Sequence, residues 1–331
     1  MSKLPRIKTP TDSYVVHYPQ FIEMANTQLE KCFWTSSEIA IEKDKQDMLV
    51  NMTEAEKHAV TTALKLFVKY EIFVGTEYWL NKVLVQYPRP EIQRMASVFG
   101  MMELAVHAPF YNKLNEVLGL NTEEFYTSYV DDPILKARVD FLDSAVDSDD
   151  ELLSLAAFSI IEGAVLFSSF AMFKNFQSNG NNLISNTVRG INQSVIDEGL
   201  HQQAGAALFK VVLKESKLSA EDKAALFERI QVVAKVIGEH EERINDMLFE
   251  KGAPRGGYTL ESAKAFARSR VNVCLSDLGV GPVFPVEPNP VADWFYTSVQ
   301  GYQQIDFFTG VGREYQRGWN EKNFEWKVAD E

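Results

Sequence analysis

Six acids and histidines sit where the sequence is otherwise apolar. Glu162 lies in the segment SLAAFSIIEGAVLFSSFAMF, with apolar side chains on every helical face. A carboxylate buried there costs on the order of several kcal/mol unless it is protonated, paired with a cation or bound to a metal. The segment SVIDEGLHQQAG places Glu198 and His201 three residues apart, on one face of one helix. In MMELAVHAPFY, Glu103 and His107 are four residues apart and share a face among Met, Leu, Ala, Val and Phe. The segment LKLFVKYEIFVGTEYW sets Glu71 among Leu, Phe, Ile and Val, with Glu77 as a competitor nearer the polar end.

Four apolar helices thus offer Glu71, then Glu103 with His107, then Glu162, then Glu198 with His201. A single Glu-x-x-His spacing arises often by chance. The joint order of Glu, Glu/His, Glu, Glu/His is much more specific, because it is the ligand order of a four-helix bundle that binds two metal ions. Four carboxylates and two imidazoles suit hard or borderline ions, iron or manganese.

Other clusters carry less. The run from Gly238 to Glu242 reads as a solvated acidic helix face, and His58 as part of a solvated first turn with Glu54 and Glu56. His17 has no acid at ligand spacing before it. No glycine-rich phosphate loop, nucleophile elbow or zinc spacing is found.

The elements that must position these residues are long helices joined by short polar or proline-rich breaks. Helical periodicity covers about 20–33, 53–85, 91–118, 133–147, 150–177, 183–216, 220–250 and 260–277. Thr53 with Glu56 three residues later makes a capping box for the second of these. No alternation supports a sheet, so the fold class is all-α. Among 331 residues, 46% are hydrophobic and 24% charged, which fits a soluble globular protein with a large core. A formal charge of −13 argues against nucleic-acid binding. Cys32 and Cys274 show no metal-like spacing and read as reduced thiols, and the N-terminus has no apolar leader, which points to a cytoplasmic protein. The apolar stretch from Leu152 to Phe173 contains Glu162 and several serines, and reads as a buried core helix rather than a membrane span. Prolines at 282, 285, 288 and 290 precede a short helix over 291–303. From about Ile305 the chain has isolated aromatics and no apolar face. Residues 1–304 therefore read as a metal-binding helical domain, and residues 305–331 as a flexible tail whose spaced aromatics could dock on a partner.

These motifs resemble the small subunit of class I ribonucleotide reductases, a ferritin-like family, from about Tyr18 to Tyr315. The strongest blocks are Phe33-Trp34, the Glu71 helix, Met102 to Tyr111, Glu162, Ile196 to His201, and Asn289-Pro290 before Trp294. The resemblance implies Glu71, Glu103, His107, Glu162, Glu198 and His201 as ligands of a dinuclear iron or manganese centre. It implies an oxidising equivalent stored at the metals or on Tyr111, four residues after His107. It further implies a relay of His107, Asp197, Trp34 and Tyr315 to a large catalytic subunit, which docks on the C-terminal tail of a homodimer and itself holds the nucleotide. A second reading, another ferritin-like di-metal protein such as an oxidase or desaturase, shares the six ligands but needs neither Trp34 nor a tail tyrosine. A third, a metal-storage bundle, would form a cage and lack the aromatic tail.

The chain departs from the family pattern twice. Glu103 and His107 are separated by three residues where the family has two. A one-residue insertion absorbed as a π-bulge would restore both side chains to one site, with Pro109 close behind. Glu71 stands where many members have Asp, and this resembles subclasses that use manganese or mixed manganese and iron.

Overall fold

The computed structural model describes residues 5–178 and 180–296. Among these residues there are helices and no strand. Helix α1 (Pro19–Glu30) opens with proline in its first turn. It stops three residues short of the expected end, leaving Phe33-Trp34 in the following loop. Helix α2 (Glu54–Phe73) begins at the Thr53–Glu56 capping box and runs straight into a wide π-helical segment, Val74–Val83. Helix α3 (Pro90–Met102) passes through a π-helical turn, Glu103–His107, into α4 (Ala108–Leu118). Gly119, at φ 72°, ends that run in the left-handed conformation that glycine accepts without strain. Helices α5 (Pro133–Val146), α6 (Glu151–Ala164), α7 (Phe167–Asn175), α8 (Ser185–Ser216), α9 (Ala220–Leu248) and α10 (Leu260–Leu278) complete the bundle. A further helix starts at residue 290 and is described to 296. Tyr315 and the expected tail, 305–331, lie outside the described residues.

The apolar stretch Glu151–Asn175 is long and apolar enough to cross a membrane, but 89% of its most apolar window is buried by the rest of the chain. It also breaks at Leu166, whose φ is 72°. Arg270 Nε donates to the Gly163 carbonyl at 2.8 Å and so satisfies an acceptor that the break leaves without a helical donor. The break lets α6 present Glu162 inward while α7 continues the core through Phe170 and Phe173.

Helix α8, which carries Asp197, Glu198 and His201, lacks a capping side chain of its own, since Ile184 occupies its N-cap. Acids from the loop after Trp34 cap it instead. Asp44 accepts from Thr187 N at 2.6 Å, from Asn186 N at 3.3 Å and from the Asn186 side-chain amide at 2.7 Å, and Asp47 accepts from Ile184 N at 2.9 Å. Carboxylates there satisfy orphan N–H groups and face the positive end of the helix dipole. The Trp34 loop and α8 are thereby fixed to each other.

Two sequence readings need correction. Glu241 is not on a solvated face: it is fully buried and pairs with Arg138 of α5. Periodicity along α9 puts Ile237, Glu241 and Ile244 on the core side, and only a partner from α5 makes that acid tolerable. Glu56 is likewise buried, held by the Arg255 guanidinium at 2.8 Å, while His58 bonds the Met247 carbonyl at 3.0 Å.

Candidate metal centre

The sequence-derived residues converge. Glu71 of α2, Glu103 and His107 of the π turn, Glu162 of α6, and Glu198 and His201 of α8 are all at most 2% exposed. They form two overlapping groups, Glu71–Glu103–His107–Glu198 and Glu103–Glu162–Glu198–His201. Within each group, one ligand-type atom from every residue lies within 4.8 Å of the others. Glu103 and Glu198 belong to both groups.

The π turn explains how Glu103 and His107 share the site despite the long spacing. Ala108 N–H reaches back to the Glu103 carbonyl, five residues away, so one extra residue is absorbed within the wide turn. Pro109 comes next and has no N–H to give to a regular helix. The adjoining α2 segment approaches this turn closely. A Cβ on Gly75 would lie 2.9 Å from Glu103 Cβ and 2.9 Å from Leu104 Cγ, so a side chain there would push Glu103 aside.

Charge and hydrogen bonding favour cations between the acids. Both oxygens of Glu71 and of Glu198, Oε2 of Glu162 and both ring nitrogens of His201 are buried without a hydrogen-bond partner. His201 Nδ1 lies 2.6 Å from Glu103 Oε1, yet neither atom is aligned for a hydrogen bond. Atoms that face one another unpaired in a buried space are what a metal ion satisfies. Four ionised carboxylates would carry −4, which two divalent cations would neutralise.

Without metals, protons take over part of that role. Burial and the neighbouring Glu103 carboxylate hold Glu71 well above the usual carboxylate range, and burial with Glu198 does the same to Glu162. Burial alone would lower both imidazoles. The Glu103 charge, together with hydrogen bonds to Glu103, Glu198 and, for His107, Asp197, outweighs it, raising His107 strongly and His201 to about 10.

Around the six residues lies a shell of oriented donors. His107 turns Nδ1 to the site, 2.9 Å from Glu103 Oε2, and places Nε2 3.0 Å from Asp197 Oδ2. Trp34 Nε1 donates to the same Asp197 oxygen at 2.7 Å, and Gln28 Nε2 to the other at 2.8 Å. On the opposite half, Trp79 Nε1 donates to Glu162 Oε1 at 2.7 Å. Tyr111 is fully buried, with its ring edge-on to Phe67 at 4.6 Å, and its hydroxyl makes no hydrogen bond.

Gln28 and Trp79 were not singled out from sequence. Gln28 continues the buried stripe of Phe21 and Ala25 on α1, and a polar residue on an apolar stripe is a usable signal. Trp79 gave none, because its inward direction depends on the π-helical register after Glu71.

Comparison with known proteins agrees with this architecture. Residues 12–290 match the family model for the ribonucleotide reductase small chain. A probable ribonucleoside-diphosphate reductase small subunit of Invertebrate iridescent virus 3 is 25% identical, over 95% of this chain and 87% of its own length. Three solved structures share the fold. The dimanganese(II) NrdF of Streptococcus sanguinis superposes with a TM-score of 0.74 at 19% identity, covering 86% of this chain and 97% of its own. A putative class I ribonucleotide reductase of Bacillus halodurans gives 0.75 at 21% identity, covering 85% and 99%. The R2 subunit from Clostridium botulinum gives 0.72 at 19% identity, covering 85% and 88%. The fold is thus a ferritin-like helical bundle.

Proposed function

The chain belongs to the ribonucleotide reductase small-chain family, and we propose that its six-residue cluster binds two iron or manganese ions and that Trp34 carries the oxidising equivalent away from them. When bound, such a centre supplies a one-electron oxidising equivalent. Glu71 and His107 would hold one ion, Glu162 and His201 the other, and Glu103 and Glu198 both. The observation that carries this reading is the pair of buried ligand groups sharing two carboxylates.

The surrounding residues have separable tasks. Asp197 accepts from His107 Nε2 and so keeps Nδ1 directed at the ions, the task of an acid behind a ligand histidine. The same oxygen holds the Trp34 indole proton while an electron leaves the ring toward His107, whose ring is stacked on it at 5.8 Å. Gln28 fixes the second Asp197 oxygen. Buried aromatics around the site, among them Phe67, Phe99 and Phe110, exclude water.

Beyond Trp34 the proposal continues to Tyr315 and to a large catalytic subunit, which would reduce ribonucleoside diphosphates. That subunit would bind the segment with Trp319, Phe324 and Trp326, since aromatic anchors dominate many interfaces. The reading also includes a homodimer and a cytoplasmic setting. The test combines metal-loaded protein with the large subunit and measures deoxyribonucleotide formation. Activity that needs both chains and the metals, and that disappears with binding when the chain is cut after Gly310, supports the proposal. Turnover by either chain alone, or unchanged affinity of the truncated protein, refutes it.

A further inference from the structure

The Trp34 side is not the only place where an oxidisable ring touches the site. Trp79 bonds Glu162 at 2.7 Å, and its ring centroid lies 5.9 Å from that of His201. Tyr78 meets Trp79 edge-on at 4.9 Å and stacks flat on Phe158 at 3.8 Å. Tyr87, just after the short turn Leu84–Gln86 that follows the π-helical segment, is also fully buried. Its hydroxyl donates to Glu151 Oε1 at 2.6 Å. Glu151 in turn pairs with Lys8 at 2.7 Å, and both side chains are partly exposed, at 26% and 31%. Tyr78 is near enough to Tyr87 to raise its pKa, so the three rings lie between the Glu162/His201 half of the site and the partly exposed Lys8–Glu151 pair, and nothing in the Trp34 relay uses them.

We propose that Trp79, Tyr78 and Tyr87 form a second electron route, which discharges an oxidising equivalent that Trp34 has not passed on. This rests on reading the cluster as a redox-active metal site. The groups differ in a way that gives the route direction. Oxidising a tyrosine expels its phenolic proton, so a neighbouring base is needed. Tyr78 has none, because its buried hydroxyl makes no hydrogen bond. It serves as a bridge. Tyr87 has Glu151, so the hole comes to rest there. Trp79 gives one electron to the oxidised site and takes one from Tyr87 across Tyr78. Tyr87 loses its hydroxyl proton to Glu151 in the same step. A one-electron reductant of the thiol or ascorbate class then supplies an electron to the Tyr87 radical from the Lys8–Glu151 surface, and Glu151 returns the proton. In sum the site gains one electron, the reductant loses one, and both tyrosines end unchanged.

The test uses full-length, metal-loaded protein after oxidative activation, without the large subunit. The oxidised state is followed by its optical and paramagnetic signals, with and without ascorbate. Tyr87→Phe removes one hydroxyl and nothing else, and should lengthen the lifetime severalfold and blunt the acceleration by ascorbate. Trp79→Phe should do the same if its metal content matches the parent. Equal lifetimes and equal ascorbate sensitivity in parent and Tyr87→Phe would overturn the route. If the parent forms no oxidised state, the metal reading fails, and a second measurement decides the route alone. A ruthenium photosensitiser is attached to Lys8→Cys in a Cys32→Ser background and oxidised by a flash. A tyrosyl signal that disappears in Tyr87→Phe supports the route, and its absence from the parent excludes it.

Discussion

Trp34 and His107 direct their ring N–H groups at the same oxygen of one carboxylate. The indole nitrogen lies 2.7 Å and the imidazole Nε2 3.0 Å from Asp197 Oδ2, and the rings stack with 29° between their planes. A ring in a loop and a ring in a π turn are thus coupled through an acid on a third element, α8. The Asp44 and Asp47 caps on α8 hold the loop in that register.

Trp34→Phe tests what this contact does. Phenylalanine keeps most of the aromatic volume but has no N–H, while Asp197 retains His107 and Gln28. Stability should fall by roughly 1–2 kcal/mol, the scale of one buried hydrogen bond. Metal content should stay at the parental level, and nucleotide reduction with the large subunit should fall to background. Parental turnover by a metal-loaded Trp34→Phe protein would remove Trp34 from the relay.

Much of this arrangement was legible in the sequence, for a physical reason. Acids at Glu71, Glu103, Glu162 and Glu198 interrupt apolar helical stripes, and such interruptions are too costly to be accidental. The long Glu103–His107 spacing with Pro109 behind it also pointed to a π turn. What could not be read depends on tertiary partners. Glu241 looked solvated because Arg138, its partner, lies 103 residues away. The π-helical segment Val74–Val83, in which Gly75 packs against Glu103, leaves no mark in the local pattern. Trp79 was therefore hidden with it.

The two shared carboxylates make a graded prediction about metal content. Glu198 belongs to both ligand groups and Glu71 to one. Glu198→Ala should lose both ions and stay helical, because the apolar packing is untouched. Glu71→Ala should retain a single ion. Elemental analysis with circular dichroism reads both outcomes, and full occupancy in Glu198→Ala would refute the assigned site.

Metal loading should release protons. Glu71, Glu162, His107 and His201 all have folded-state pKa values above their ordinary ones. Groups raised in this way favour the metal-free fold at low pH, and that contribution is lost as pH rises through the raised values. Ions that bind here displace the protons, so apparent metal affinity should increase with pH. Calorimetry in buffers of different ionisation enthalpy measures the release directly. A buffer-independent heat would show that the cluster holds no displaceable protons.

The π turn predicts an unusual response to deletion. Removing Ala105 gives the two-residue Glu-x-x-His spacing and converts the wide turn to an α turn, so both ligands can still face the site. Pro109 would then sit in a regular helix, at a cost of about 3 kcal/mol from its ring and missing N–H. The Ala105 deletion alone should be destabilised by about that amount. The same deletion with Pro109→Ala should recover most of the loss. Both proteins should bind metals. If the double variant is no more stable than the deletion alone in urea unfolding, proline is not why the wide turn persists.

The last prediction concerns where the oxidising equivalent rests. Tyr111 is close enough for Glu71 to matter: after burial, the Glu71 charge is the next largest influence raising its pKa. A tyrosine that gives up an electron must also give up its proton, yet no side chain accepts a hydrogen bond from the Tyr111 hydroxyl. Ser194 lies near, but its hydroxyl is also unpaired. Phe67 and Phe110 cover the ring at 4.6 and 5.0 Å and add no base. Both oxygens of Glu71 are meanwhile unpaired and free to turn to a cation. This geometry favours holding the equivalent at the ligand cluster and leaving Tyr111 reduced. Tyr111→Phe should therefore bind metals as the parent does and keep substantial activity with the large subunit. Paramagnetic resonance on active parent protein should show no sharp tyrosyl line. A tyrosyl signal in the parent, lost together with activity in Tyr111→Phe, would place the equivalent on Tyr111 instead.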